Sequence, residues 1–359
     1  CHATSLVSPI SSRSMRLGPR SAMCTRSTEN GYHYRVIARS SHKLRLLSVS
    51  LLLATPFALA ACGNSSDLAT TSGTTAAAAG ECPTTPVDVV VSVDQWGDIV
   101  SQLGGACANV TTVLASSSVD PHGHEPAPSD AVRFDGAQLV VINGGQYDAW
   151  AAKLAATSAP DAPVIDAVEL GGDLPAETGQ DHRGNPHVWY SPSVVTSVAE
   201  AVTAELGELA PDARGYFEKR HTAFNNVMTP YSEAIAAIKS RSAGKTFAAT
   251  ENVFDDMAAA LGLQNRTPEG YQLAAANEAE PTPADLDAFL RLLSERGVDV
   301  LIYNTQTEGS VPEKIRGAAE QAGVPVVEVT ETVPPNTESF QTWQVAQLDS
   351  VARALGVPV

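Results

Sequence analysis

From Val87 onward the chain alternates β-branched apolar runs with segments of helical periodicity, and this alternation restricts the fold more than any other feature. A strand is predicted at Val87 to Val93 and a helix at Gln95 to Leu103. The alternation resumes after Gly244, with a strand at Thr246 to Ala249. Strands that alternate with helices favour parallel sheets covered on both faces. We therefore predict an α/β protein with two parallel-sheet lobes.

Between the two lobes, one long amphipathic segment interrupts the alternation. Its apolar side chains recur at three-, four- and seven-residue steps, which predicts a helix with one buried stripe; they are Phe217, Phe224, Met228, Tyr231, Ile235 and Ile238. Pro230 is expected to bend this helix without necessarily ending it. The predicted organisation is an N-terminal lobe at 86–210, a linking helix at 211–243 and a C-terminal lobe at 244–359.

Residues 1–61 are expected to lie outside the globular part. Leu46 to Ala60 is almost unbroken apolar sequence after a basic stretch, as in a secretory signal peptide, and is too short for a comfortable membrane span. Its ending, Leu59-Ala60-Ala61-Cys62, resembles a bacterial lipobox and implies lipidation of Cys62; the alternative is an ordinary signal peptide with an incidental cysteine. Residues 1 to about 34 are interpreted as an over-extended gene start. Residues 62–85 are interpreted as a flexible tether.

Charge and cysteine content narrow the choice of partners. The formal net charge of −17 at pH 7 repels nucleic acid, so no nucleic-acid partner is expected, and it favours nearby cations. Solubility alone explains that charge equally well. Cys82 and Cys107 are the cysteines that remain after residue 62, and in an exported protein they are expected to form a disulfide. A thiolate metal site is the alternative, disfavoured because no further cysteine is present.

Two Pro-His steps in similar settings point to a metal site, Asp120-Pro121-His122 and Asn185-Pro186-His187. A proline before a histidine stiffens its loop, and two such imidazoles can meet at one metal. Ligands of open α/β sheets gather beyond the carboxyl ends of the strands, where Glu251 and Glu331 also fall. Two imidazoles and two carboxylates suit zinc or manganese. Considered singly, each of these candidate ligands has a simpler interpretation. The histidines can be ordinary surface residues, Glu251 a carboxylate at a helix N-terminus, and Glu331 a loop acid.

From Val87 to the C-terminus the chain resembles the zinc- and manganese-binding solute receptors of bacterial metal ABC transporters. Residues 120–126 resemble that family's first ligand motif, which carries His122, and residues 185–189 the second, with Asn185 where Asp is common. Residues 250–254 resemble the third, whose ligand is usually His in zinc-type members and Glu, as at Glu251, in manganese-type members. Glu331 matches the fourth, acidic position. The resemblance implies two α/β lobes joined by one long rigid helix, with Zn²⁺ or Mn²⁺ in the cleft between them.

The resemblance also implies a role. It is that of a non-enzymatic, lipid-anchored extracytoplasmic receptor, expected to be monomeric, that passes its metal to an ABC permease. His124 and His182 resemble a reduced form of the histidine-rich loop of some zinc receptors; they are interpreted as solvated bystanders, with metal capture as the alternative. A secreted metal-dependent hydrolase is one rival, but no His-Glu-x-x-His helix or nucleophile elbow is present in the sequence. The other rival is an adhesin or interaction lipoprotein that contains a structural metal.

Overall fold

The described part of the chain contains two parallel β-sheets of four strands each, which confirms the predicted two-lobe α/β fold. The computed structural model describes residues 80–115, 123–172, 185–277, 279–307 and 309–358, which belong to the compact unit Ser72–Val359. The strands are β1 Val87–Val93, β2 Ala108–Leu114, β3 Leu139–Ile142, β4 Val164–Asp166, β5 Thr246–Ala249, β6 Gln264–Asn265, β7 Val300–Asn304 and β8 Val326–Val329. The order is β2-β1-β3-β4 in the first sheet and β6-β5-β7-β8 in the second.

Helices connect the strands along the chain, as parallel strand pairing requires. Pro128, Pro192 and Pro283 each stand in the first turn of a helix, where the missing N–H is not needed for a helical hydrogen bond. The helices are α1 Asp94–Gly104, α2 Pro128–Phe134, α3 Ala149–Ser158, α4 Ala167–Gly172, α5 Pro192–Leu209, α6 Arg214–Val227, α7 Thr229–Lys239, α8 Asp255–Ala260, α9 Glu269–Ala276, α10 Pro283–Ser294, α11 Ser310–Ala322 and α12 Phe340–Leu355.

The largest apolar core runs through both lobes. It contains Val91 of β1, Val198 of α5, Phe217 of α6, Phe247 of β5 and Val329 of β8, all essentially inaccessible to solvent. Smaller apolar clusters cover the outer face of each sheet. Both faces of the central strands are therefore buried, which is why these strands read as continuous apolar runs rather than as alternating ones.

The predicted linking helix is present as two consecutive helices, α6 and α7, that meet at Met228. Met228 keeps helical backbone angles, and its N–H still donates to the carbonyl of Phe224. Pro230, in the first turn of α7, has no N–H to donate to the preceding turn, so the ladder of helical hydrogen bonds is interrupted there. Three further elements were not predicted from the sequence: α4, β6 and α9.

Two other features bear on the predictions. Cys82 and Cys107 form a disulfide with their Cα atoms 5.0 Å apart, and it ties the segment before β1 to the turn between α1 and β2. Among the described residues, none of the helices is long and apolar enough to cross a membrane.

Candidate metal-binding site

Three of the four predicted ligands are described, and they come together beyond the carboxyl ends of strands from both sheets. His187 lies in the first lobe just before α5, Glu251 follows β5, and Glu331 follows β8. His122 lies outside the described residues, as do Cys62 and His182. The structure thus brings together His187, Glu251 and Glu331, whereas the place of His122 stays a prediction.

The imidazole of His187 is buried and its orientation is fixed by Asn185. The side chain of His187 is 3% exposed, and its Nδ1 lies 2.8 Å from Asn185 Oδ1. Asn185 Nδ2 donates to the carbonyl of Asn252, so its Oδ1 is the atom that accepts from the ring. Nδ1 therefore donates to Asn185, and Nε2 points toward Glu331, whose Oε2 lies 3.8 Å away.

Glu331 is held by its backbone from both lobes. Its N–H donates to Gln306 Oε1 at 2.7 Å, and its carbonyl accepts from Gln95 Nε2 of α1 at 2.7 Å. The same Gln95 amide also donates to the hydroxyl of Tyr147. The carboxylate accepts from Asn304 Nδ2 at 2.7 Å through Oε1. Its position is therefore set jointly by α1 and by the segment after β7.

Glu251 is joined to Glu331 through one amide. Asn304 Nδ2 donates to Glu251 Oε2 at 2.6 Å, as well as to Glu331, and the hydroxyl of Thr307 donates to the same Glu251 oxygen. Asn304 ends β7 and is 1% exposed. Sequence reasoning missed Asn304, Gln306 and Gln95; the position of Asn304 at the carboxyl end of a buried strand was the available signal.

Aromatic rings line the first-lobe side of the site. Tyr147 and Trp189 both pack edge-on against the His187 ring, at centroid distances of 6.0 Å and 5.3 Å. Burial, followed by the nearby charge of Glu331, raises the pKa of Tyr147 well above its ordinary value. Tyr147 is therefore a neutral hydroxyl. The aromatic rings give the carboxylates of the site a surrounding of low polarity, which strengthens electrostatic attraction.

The three described candidate ligands do not complete a metal centre by themselves. Within the described ranges, no group of three or more His, Cys, Asp or Glu side chains is arranged to hold a metal by itself. The 3.8 Å between His187 Nε2 and Glu331 Oε2 leaves room for an ion bonded to both at about 2.0–2.2 Å. Neutral imidazole nitrogen and carboxylate oxygen suit zinc and manganese.

His124 is partly buried, with its side chain 16% exposed, and whether it is a bystander or a capture group stays a prediction. Its ring packs edge-on against Trp150 with centroids 4.7 Å apart, and its Nε2 lies 3.4 Å from the carboxylate of Asp130 in α2. Asp130 also accepts the backbone N–H of Ala127. These contacts attach His124 to α2 and α3.

Comparison with known proteins gives one consistent family. The family model described as ZnuA, zinc-uptake complex component A periplasmic, matches residues 89–354. The zinc-binding lipoprotein AdcA of Streptococcus pneumoniae is 24% identical over 241 residues, covering 63% of this chain and 46% of AdcA. The high-affinity zinc uptake system protein ZnuA of Bacillus subtilis is 23% identical over 215 residues, covering 56% of this chain and 66% of its own length. The match therefore spans less than two thirds of each of these relatives.

A third relative is matched along nearly its whole length. The metal ABC transporter substrate-binding lipoprotein FimA of Streptococcus parasanguinis is 24% identical over 323 residues, covering 86% of this chain and 97% of FimA. Among solved structures, the Mn²⁺ complex of the binding protein FpvC from Pseudomonas aeruginosa has a TM-score of 0.62 at 22% identity, covering 76% of this chain and 99% of that one. A Cd-bound periplasmic metal binding protein from Candidatus Liberibacter asiaticus has a TM-score of 0.62 at 15% identity, covering 75% and 99%. These structures share the fold.

Proposed function

The chain belongs to the family of the periplasmic zinc-uptake component, and from that premise we propose that it captures a divalent transition metal, Zn²⁺ or Mn²⁺, and delivers it to an ABC import permease. The metal is its cargo, and the proposed role is not enzymatic. The observation that supports this role is that His187 and Glu331, which belong to opposite lobes, lie close together, with His187 Nε2 3.8 Å from Glu331 Oε2. A site built from two lobes can release its ligand when the lobes shift against each other.

The proposed ligands are His122, His187, Glu251 and Glu331. Their two imidazoles and two carboxylates would neutralise a divalent ion and fill a tetrahedral shell. Filling that shell leaves no position for an activated water, which argues against hydrolysis. The imidazoles must be neutral to bind a metal, so the affinity for the metal should decrease as the pH drops below about 6.

The proposed location is outside the cytoplasm. Relatives such as AdcA and FimA are named as lipoproteins, and by analogy Cys62 would carry a lipid that anchors the chain to the membrane. The permease would then be a neighbour in the same membrane. We expect the receptor to act as a monomer, because one chain carries both lobes of the site.

The proposal is tested by calorimetric titration of the metal-stripped protein with Zn²⁺ and Mn²⁺ separately. Wild type should bind one ion per chain, and His122→Ala and His187→Ala should each abolish tight binding while leaving the fold intact. The matched control is His221→Ala, which replaces a partly exposed histidine on α6 and should bind as wild type does. Unchanged affinity in both ligand variants would remove the four-residue site, and no binding by wild type would remove the receptor role.

A further inference from the structure

Asn304 is the residue through which the two carboxylates of the site are connected. Its one amide nitrogen lies 2.6 Å from Glu251 Oε2 and 2.7 Å from Glu331 Oε1. Two N–H groups are enough for both bonds. Each carboxylate thus has one oxygen engaged by the same neutral group, and Glu251 Oε2 also accepts from Thr307.

The orientation of the Asn304 amide is fixed independently of the carboxylates. Its Oδ1 accepts the backbone N–H of Gln306 at 3.1 Å, and its own backbone N–H donates to Thr250 Oγ1. Because the oxygen is held by a backbone donor, the nitrogen must face Glu251 and Glu331. At 1% exposure, the side chain has no room to turn away without leaving buried polar groups unsatisfied.

This arrangement limits how a carboxylate can meet a metal. A carboxylate that binds an ion through both oxygens must turn both of them toward it, whereas a donor on one oxygen favours ligation through the other. Two carboxylates held to one oxygen each supply two ligand atoms, whereas two that bind through both oxygens supply four. Fewer ligand atoms suit the four-coordinate shell of zinc, and more suit the six-coordinate, oxygen-rich shell of manganese.

Building on the function proposed above, we propose that Asn304 is a positioning residue that sets metal specificity by holding Glu251 and Glu331 to one ligand oxygen each, and so favours zinc over manganese. Glu251 supplies a carboxylate oxygen, a harder ligand than the imidazole nitrogen of a histidine at the same position. Asn304 limits the number of oxygens that Glu251 supplies to the ion. Asn304 itself does not need to touch the ion.

The test compares Asn304→Leu, similar in size but without a donor, and Asn304→Asp, which keeps the acceptor for Gln306. The matched control is Asn265→Leu. Asn265 ends β6, accepts the N–H two residues ahead in the same way, and donates to Asp255, which is not a proposed ligand. Zn²⁺ and Mn²⁺ affinities are measured by calorimetry, and Co²⁺-loaded protein is examined by visible absorption, which is stronger for four-coordinate than for six-coordinate Co²⁺.

We expect the ratio of zinc to manganese affinity to narrow by about 10- to 100-fold in both Asn304 variants, with weaker Co²⁺ absorption, while Asn265→Leu matches wild type. The inference is overturned if Asn304→Asp leaves both the ratio of zinc to manganese affinity and the Co²⁺ spectrum unchanged. It is also overturned if the wild-type protein gives a six-coordinate Co²⁺ spectrum, a measurement that does not depend on any variant being folded. If wild type binds none of the three ions, it is the receptor function itself that has failed.

Discussion

Neutral amides, rather than further charges, orient the charged groups of the site. Asn185 holds the His187 ring, and Asn304 holds the two carboxylates. Both asparagines use Oδ1 to accept the backbone N–H two residues ahead, a local turn that asparagine forms readily. The short side chain is thus fixed by its own backbone before it meets its partner. Such a group adds no charge to a site that already carries two carboxylates.

At the residue scale, we predict that Asn185→Ala weakens zinc binding by about 10-fold or more, since the imidazole loses the acceptor that fixes its proton on Nδ1. Asn185→Asp is the informative companion because it keeps the acceptor and makes it anionic. That variant should bind zinc at least as tightly as wild type. Calorimetry at neutral pH measures both, and equal affinities in all three proteins would show that Asn185 does not orient His187.

At the scale of elements, side chains of α1 hold the segment that carries Glu331 through hydrogen bonds to its backbone. On successive turns, Asp94 accepts the N–H of Val333, and Asp98 accepts the N–H of Phe340 at 2.8 Å. Gln95 adds its bond to the Glu331 carbonyl. A helix of the first lobe therefore sets the path of the chain between β8 and α12 in the second. The two aspartates that do this are partly buried, and the free-energy cost of burying a carboxylate depends on pH.

Burial raises the pKa of Asp94 from 3.8 to about 6, although the Val333 N–H opposes the shift. Because the folded state binds this proton more tightly than the unfolded state, Asp94 contributes stability that is fully present below pH 3.8 and lost as the pH rises through 6. Between about pH 4 and about pH 7, the free energy of unfolding of Asp94→Asn relative to wild type should rise by about 2 kcal/mol. Urea unfolding of the metal-stripped proteins measures this difference.

The control for this experiment is Asp212→Asn, which replaces an exposed aspartate at the start of the turn before α6. Its stability relative to wild type should change much less between the two pH values. A difference for Asp94→Asn that stays constant with pH would mean that the pKa of Asp94 is the same in the folded and unfolded states, so that burial does not raise it.

Sequence periodicity predicted those elements whose pattern is local. β1 and β5 have the predicted bounds, because long β-branched or buried runs identify a strand without reference to its neighbours. β6 has two residues and is defined by its pairing with β5. A strand this short has no periodicity of its own that could predict it from the sequence. The same reason explains what was missed at the site. Local motifs predicted His187 and Glu251 as site residues, whereas Asn304 and Gln95 act through hydrogen bonds to residues that are distant in sequence.

At the scale of the whole molecule, the site spans two lobes that already share a core. The largest apolar cluster includes residues of β1 and β5 and of the helices between the lobes, and Asn304 holds the two second-lobe carboxylates with hydrogen bonds of its own. We therefore expect the fold to assemble without a metal. That would distinguish a receptor, which must exist both loaded and empty, from a lipoprotein whose metal is structural.

We accordingly predict that the metal-stripped protein unfolds cooperatively, and that zinc at about 100 times its Kd raises the free energy of unfolding by about 2.7 kcal/mol, the amount expected when a ligand binds only the folded state. Thermal and urea unfolding with and without zinc measure this. His187→Ala should remain folded and show no such increase at the same zinc concentration. A metal-stripped wild type with no cooperative transition would instead identify the metal as structural, because a metal that assembles the fold leaves the empty chain unfolded.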